Sequence, residues 1–210
     1  MITRLLKAPG DEWVEFDCEH GRDVPSAANL AEFDGVVISG AKHDAHADVP
    51  WIKALASLVA ERVKGGGRTI GICFGAQLLA HALGGKTGPA GYWELGAREL
   101  AFADGSKRVV FEIHRDAVST LPPGAESIAS SEKCANEIWS LGDHALAIQG
   151  HPEMDVAILR DYLDGNRADP LDCDFEERAF AIRTLDEVPY RREDHDAFVL
   201  LCNKYLKGQR

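Results

Sequence analysis

Several features are missing from this sequence, and each absence removes a class of protein. No stretch of the 210-residue chain reaches the roughly 18 consecutive apolar residues of a membrane span. The start, MITRLLKAPGDEW, has a basic flavour but no apolar core of the kind a secretory signal carries. Basic residues are outnumbered, 23 Lys and Arg against 34 Asp and Glu, for a formal net charge of −11. Such a surface repels nucleic acid and anionic membranes, so neither is expected as a partner. Cysteines are few and scattered, at 18, 73, 134, 173 and 202, with no CxxC pair. An odd, dispersed set points away from a disulfide framework or a zinc site and fits a reducing compartment such as the cytosol. There is no glycine-rich P-loop pattern, no internal repeat and no low-complexity segment.

What remains reads as an ordinary globular chain, 45% hydrophobic and 27% charged. The length suits one substantial core or two small ones. Short apolar runs alternate with amphipathic stretches, which predicts an α/β architecture. FDGVVISG (33–40) is a buried-strand run ending in glycine. WIKALASLVAERVK (51–64) places Ile52, Leu55, Leu58, Val59 and Val63 on one helical face, entered through Pro50 and ended by GGG at 65–67. TIGIC (69–73) is a second buried strand, and AQLLAHALGG (76–85) a helix closed by two glycines. Residues 86–150 turn β-rich, with strands expected at 107–114, 126–131, 136–143 and 144–150. Helices are expected near 153–164, 173–186 and 193–206, with Pro189 breaking the last two apart.

Chemistry concentrates in two places. Gly71-Ile-Cys73-Phe-Gly75 has the Gly-x-nucleophile-x-Gly form of a nucleophile elbow. A turn that tight strains the nucleophile's backbone and tolerates only small neighbours. In return it holds the side chain clear of the sheet at a helix N-terminus, where the dipole and free N–H groups favour a thiolate. The pentapeptide alone fits a buried structural thiol equally well. IQGHPE (148–153) supplies the rest: His151 directly after an apolar strand, and Glu153 two residues on. His151 is suited to exchange the thiol proton, and Glu153 to fix the imidazole tautomer.

GICFGAQLLAHALGG followed by IQGHPE resembles the class I glutamine amidotransferase superfamily, with supporting matches in DGVVISG, GYWELG, HRDAV, LPPGAE and IWSLGDHALAIQGHPE, over roughly 33–155. The resemblance is greatest to the plant-type γ-glutamyl peptidases, through VISGAKHDA, GDHALAIQGHPE and the ending CNKYLKG. It implies a flavodoxin-like α/β fold, a mostly parallel central sheet flanked by helices with a small antiparallel β extension, in a single domain over 1–210. It implies a Cys73–His151–Glu153 triad, oxyanion-hole N–H groups from Gly40 and Phe74, and a γ-glutamyl pocket held or supported by Gln77, Glu94, His114 and Asp116. No cofactor is implied. The substrate class implied is a small γ-glutamyl amide, glutathione, γ-glutamylcysteine or a conjugate, cleaved through a thioester. An alternative is a glutaminase subunit feeding ammonia to a separate synthase; a third reading, of a different class, is a non-catalytic binding or regulatory protein.

Three departures from the family pattern stand out: Ala76 beside the nucleophile, Ala41 after Gly40, and a short start in which ITRLL reads as the end of a helix rather than as the family's first strand. Loss of that strand predicts unpaired neighbours and a groove in the core. AKHDAHAD (41–48) offers His43, Asp44, His46 and Asp48, but its spacing matches no defined metal geometry, so no metal is expected there. RRED (191–194) reads as a solvated charged face.

Overall fold

A computed structural model describes residues 1–21, 24–166, 171–188 and 190–209. Pro189, the expected helix break, lies outside them. The elements run α1 (Ile2–Leu6), α2 (Ala27–Ala31), β1 (Gly35–Ile38), α3 (Pro50–Lys64), β2 (Arg68–Ile72), α4 (Phe74–Ala82), β3 (Lys86–Phe102), β4 (Lys107–Thr120), β5 (Glu126–Ser130), β6 (Ile138–Leu141), β7 (Ala145–Ile148), α5 (Val156–Leu163), α6 (Phe175–Glu187) and α7 (Arg192–Leu206). Among the described residues no helix is long and apolar enough to cross a membrane.

One seven-stranded sheet has the order β1-β2-β7-β6-β5-β3-β4. β1, β2 and β7 are parallel. β6, β5, β3 and β4 continue the sheet antiparallel. The α/β class is as expected, but the antiparallel part is larger than a small extension, because β3 and β4 run for 17 and 14 residues.

Side-chain alternation explains how the layers stack. Ile70, Ile72, Leu146 and Ile148 point to one face, against α1 and α7 through Leu6, Phe198 and Cys202. The opposite face of β7 carries only Ala145 and Ala147, in the cluster with Val59, Leu78 and Leu79 from α3 and α4. β7 is buried along its whole length, which is why it reads as an unbroken apolar run. The helical face read for α3 is confirmed at Ile52, Val59 and Val63, which are buried. α3 begins at Pro50, whose fixed φ and missing N–H suit the first helical turn.

The start of the chain is helical rather than extended. Residues 2–6 form α1, and β1 lies at the end of the strand order. A cleft of about 1680 Å³ runs along β1, lined by Trp13–Cys18 on one side and by Val36–Ala41 on the other.

β3 and α6 are joined at one crowded point. Thr184 Oγ1 accepts from the Ala97 N–H at 3.0 Å and donates to the Ala181 carbonyl at 2.6 Å. Gly96, at φ 101°, lies against this hydroxyl, and a Cβ there would land on it. Gly96→Ala therefore combines left-handed strain with a buried clash and is expected to destabilise by about 3 kcal/mol. Gly105→Ala, at φ 83° with open space around it, carries the backbone strain alone, about 1–2 kcal/mol. Chemical denaturation of both variants measures the difference; equal losses would refute the crowding at Thr184.

Candidate active site

β2 ends at Ile72 and α4 begins at Phe74, so a single residue, Cys73, makes the turn. Its φ is 51°, and it is the only non-glycine residue with positive φ among the described residues. Two hydrogen bonds hold it there: the Cys73 N–H donates to the Ile148 carbonyl at 2.8 Å, and the Cys73 carbonyl accepts from the Gln77 N–H at 3.1 Å. The flanking glycines are required by space. A Cβ on Gly71 would land on the Gly75 carbonyl, and a Cβ on Gly75 on the Ile38 carbonyl. The chain thus accepts a strained cysteine because α4 rises directly against β1 and β2, which no larger residue at 71 or 75 permits.

His151 follows β7, the strand beside β2. Its backbone N–H donates to the Phe111 carbonyl at 2.8 Å, which ties the loop to β4. The His151 ring and the Cys73 side chain both lie against Gly40, and the sulfur acts on the ring electrostatically. His151 Nδ1 lies 2.8 Å from Glu153 Oε1, so Nε2 is the nitrogen left to face sulfur. Cys73 and His151 are 7% and 5% exposed, a dry pair with one edge open to the cleft. Burial alone would lower the His151 pKa, but the Cys73 sulfur and the Glu153 carboxylate outweigh it and hold His151 well above the usual imidazole range. This direction favours the imidazolium, a charge lost as pH rises through the elevated value.

Gly40 sits against both side chains: a Cβ there would lie 3.0 Å from His151 Cε1 and 3.6 Å from Cys73 Cβ. Phe74 is the first residue of α4, where backbone N–H groups have no intrahelical acceptor. Ala41 lines the cleft. Ala76 is 1% exposed and packs into the core with α3, away from the cleft wall.

The remaining expected residues lie behind this surface. Gln77 Nε2 donates to the Asp116 carbonyl at 2.7 Å and to Gln149 Oε1 at 3.3 Å. The same Asp116 carbonyl lies 3.0 Å from His114 Nδ1. Glu94 pairs across the β3–β4 ladder with His114 and is fully buried. Gln77, Glu94, His114 and Asp116 thus form one connected interior layer and do not line the cleft at Cys73. Asp44 and His46, dismissed as a loop in the sequence, meet Asp116 in space, with His46 Nδ1 3.6 Å from Asp116 Oδ2.

Sequence reasoning missed two members of that layer, Glu112 and Glu137, both fully buried beside His114. Burial, reinforced by the neighbouring carboxylates, pushes Glu137 up to about 9 and Glu112 well above the carboxylate range. A signal was available: VVFEIH and NEIWS each set a carboxylate inside an apolar strand run.

Burial raises Cys18, Cys134 and Cys173, and holds Cys202 up to about 12. Iodoacetamide at pH 6 is therefore expected to label Cys73 first, because only it has an imidazolium partner. His151→Ala should slow that labelling at least about tenfold and shift its onset to higher pH. Peptide mapping by mass spectrometry measures both; equal labelling of Cys73 in the two proteins would refute the pairing.

The sequence matches the profile of "Glutamine amidotransferase class-I" over residues 13–160. Gamma-glutamyl peptidase 3 of Arabidopsis thaliana is 32% identical over 95% of this chain and 84% of its own length. A glutamine-hydrolyzing GMP synthase of Thermomicrobium roseum is 34% identical over 73% of this chain and 33% of its own length. Among solved structures, a glutamine amidotransferase from Thermotoga maritima shares the fold with a TM-score of 0.69, at 22% identity, over 91% of this chain and 85% of that one. With a strained cysteine between two obligatory glycines and a His–Glu pair at the neighbouring strand end, this chain belongs to the class I glutamine amidotransferase family.

Proposed function

We propose that this protein is a γ-glutamyl peptidase that hydrolyses the γ-glutamyl amide bond of glutathione, γ-glutamylcysteine or a glutathione conjugate, as a single domain over 1–210. The observation that carries the reading is Cys73, held at φ 51° on the N-terminus of α4 beside a His151 whose Nδ1 lies 2.8 Å from Glu153 Oε1. The relatives named γ-glutamyl peptidases, matched along nearly the whole chain, support the substrate class.

In this reading Cys73 Sγ attacks the γ-carbonyl carbon. The C–S bond forms as the carbonyl π pair moves to oxygen, and the oxyanion accepts hydrogen bonds from the Gly40 and Phe74 N–H groups. Collapse breaks the C–N bond, and the proton on His151 Nε2 passes to the departing amine. His151, now neutral, takes a proton from water as its oxygen attacks the γ-glutamyl thioester. The C–S bond breaks, glutamate leaves with its γ-carboxylate, and the thiolate–imidazolium pair is restored. Glu153 keeps Nδ1 engaged throughout, so Nε2 remains the working atom. Gln77, Asp116, Glu94 and His114 support the site from the interior layer behind it rather than touching the γ-glutamyl group.

A second reading rests on the glutamine-hydrolyzing relative: the same chemistry on glutamine, with ammonia delivered to a separate synthase. The two are separated by substrate. Purified protein is expected to release cysteinylglycine from glutathione faster than ammonia from glutamine. Cys73→Ala should abolish release, and Glu153→Gln should lower kcat/KM about 10²–10⁴-fold by freeing the tautomer. Wild type no faster than Cys73→Ala on either amide would sink the proposal, and glutaminase activity that appears only with an added synthase would favour the second reading.

A further inference from the structure

The interior layer behind the triad contains an arrangement that hydrolysis does not explain. Glu94, Glu112 and Glu137 are each 0% exposed, and His114 is 4% exposed. None of the six carboxylate oxygens has a hydrogen-bond partner, and neither does His114 Nε2. The carboxylates come from three different strand contexts: Glu94 from β3, Glu112 from β4 and Glu137 from the residue before β6. The imidazole is aimed into the group, with Nε2 3.2 Å from Glu112 Oε2 and 3.8 Å from Glu94 Oε2. One ligand atom from each of Glu112, His114 and Glu137 falls within 4.8 Å of the others.

The tautomer decides how this is read. His114 Nδ1 lies 3.0 Å from the Asp116 carbonyl, which can only accept, so Nδ1 carries the hydrogen. A neutral His114 then presents a lone pair at Nε2 to carboxylate oxygens that also hold only lone pairs. Lone pairs converging on a dry point require a proton or a metal ion between them. A ring N–H anchored on a backbone carbonyl, with the other nitrogen facing carboxylates, is the way proteins present histidine to a metal. Arg98 Nε, 3.4 Å from Glu94 Oε1, reaches one edge of the cluster, and His151 attracts Glu112 electrostatically; neither hydrogen-bonds Glu112, Glu137 or His114 Nε2.

We propose that Glu112, His114 and Glu137, with Glu94 at the fourth position, bind a divalent transition-metal ion. Donors at about 2.1 Å from one ion lie roughly 3–4.2 Å apart, so the ligand atoms of Glu112, His114 and Glu137, all within 4.8 Å of one another, need to draw inward to hold it. The imidazole donor selects against calcium and magnesium, and the absence of thiolate suits zinc or manganese(II). The ion is structural. It ties β3 and β4 to the segment before β6, and Glu112 Oε1 presses on Gly150, beside His151, where a Cβ would come within 2.5 Å. Because the four side chains are sealed from solvent, the ion is taken up as the chain folds.

The test is metal content and unfolding temperature, neither of which depends on catalysis. Tag-free full-length protein is measured as purified, and again after unfolding and refolding with Zn²⁺ or Mn²⁺, with Mg²⁺ as control. Wild type is expected to hold about one equivalent of Zn²⁺ or Mn²⁺ after dialysis. It should unfold about 5 °C or more above the same protein refolded with chelator. Glu112→Gln/Glu137→Gln keeps the shape and removes two buried charges, so it should fold. It is expected to hold under a tenth of an equivalent, with an unfolding temperature indifferent to metal. Asp44→Asn/His46→Gln, which dismantles the exposed cluster at Asp116, and Cys73→Ala should both retain the ion. Wild type below a tenth of an equivalent after refolding in either metal would overturn the proposal and leave the cluster neutralised by protons. Retention by the double glutamine variant would overturn it by placing the ion elsewhere.

Discussion

The close approach of α4 to the first two strands is the constraint on which the rest of the site depends. A Cβ on Gly75 would meet the Ile38 carbonyl, and one on Gly71 would meet the Gly75 carbonyl. With both positions bare, the helix can start one residue after the strand ends. Cys73 then has to carry the whole reversal at φ 51°, a conformation that costs a non-glycine residue on the order of 1–3 kcal/mol. The same geometry supplies the chemistry. It puts sulfur at a helix N-terminus, brings the Gly40 loop alongside it, and leaves the Phe74 N–H without a partner in its own helix. Strain and reactivity here have one origin, and the small residues that line the facing strand, Ala145 and Ala147 among them, extend the same close packing across the sheet.

Burial then sets the electrostatics. His151 is nearly sealed, and burial taken alone opposes its charge, yet sulfur and the Glu153 carboxylate keep it protonated well above the ordinary range. A charge in that position is stable because it is paired on both sides. Behind it lies the opposite case, three carboxylates and an imidazole gathered in an apolar interior with no donor among them. The two groups are separated by little more than Gly150. The interior charge is therefore part of the environment that positions the catalytic histidine, whether it is neutralised by an ion or by protons.

The α/β class, the face of α3, the buried β7 run and the elbow itself were legible because each is a local pattern. Period-2 and period-3.6 alternation and glycine placement report on nearest neighbours in the chain. The helical start at Ile2–Leu6 was legible for the same reason. The extent of the antiparallel part was less so, since strand direction depends on which distant segments pair. The Glu112–His114–Glu137 group was overlooked although a charged residue inside VVFEIH is visible, because one such residue says nothing about what faces it. The loop residues Asp44 and His46 likewise acquire Asp116 only through folding.

The sequence by itself marked out the proposed nucleophile, its proposed base and the carboxylate beside that base. Cys73 needs glycines at fixed offsets, and the Glu153 carboxylate stands two residues from His151, so both units are written in short stretches. Only the tertiary structure decided that β7 delivers His151 to Cys73 at the neighbouring strand end, that Gln77 and His114 converge on the Asp116 carbonyl, and that three glutamates meet in the interior. Those are distances between segments far apart in the chain. They follow from sheet order and register, which the summed packing of the whole molecule sets and no local motif encodes.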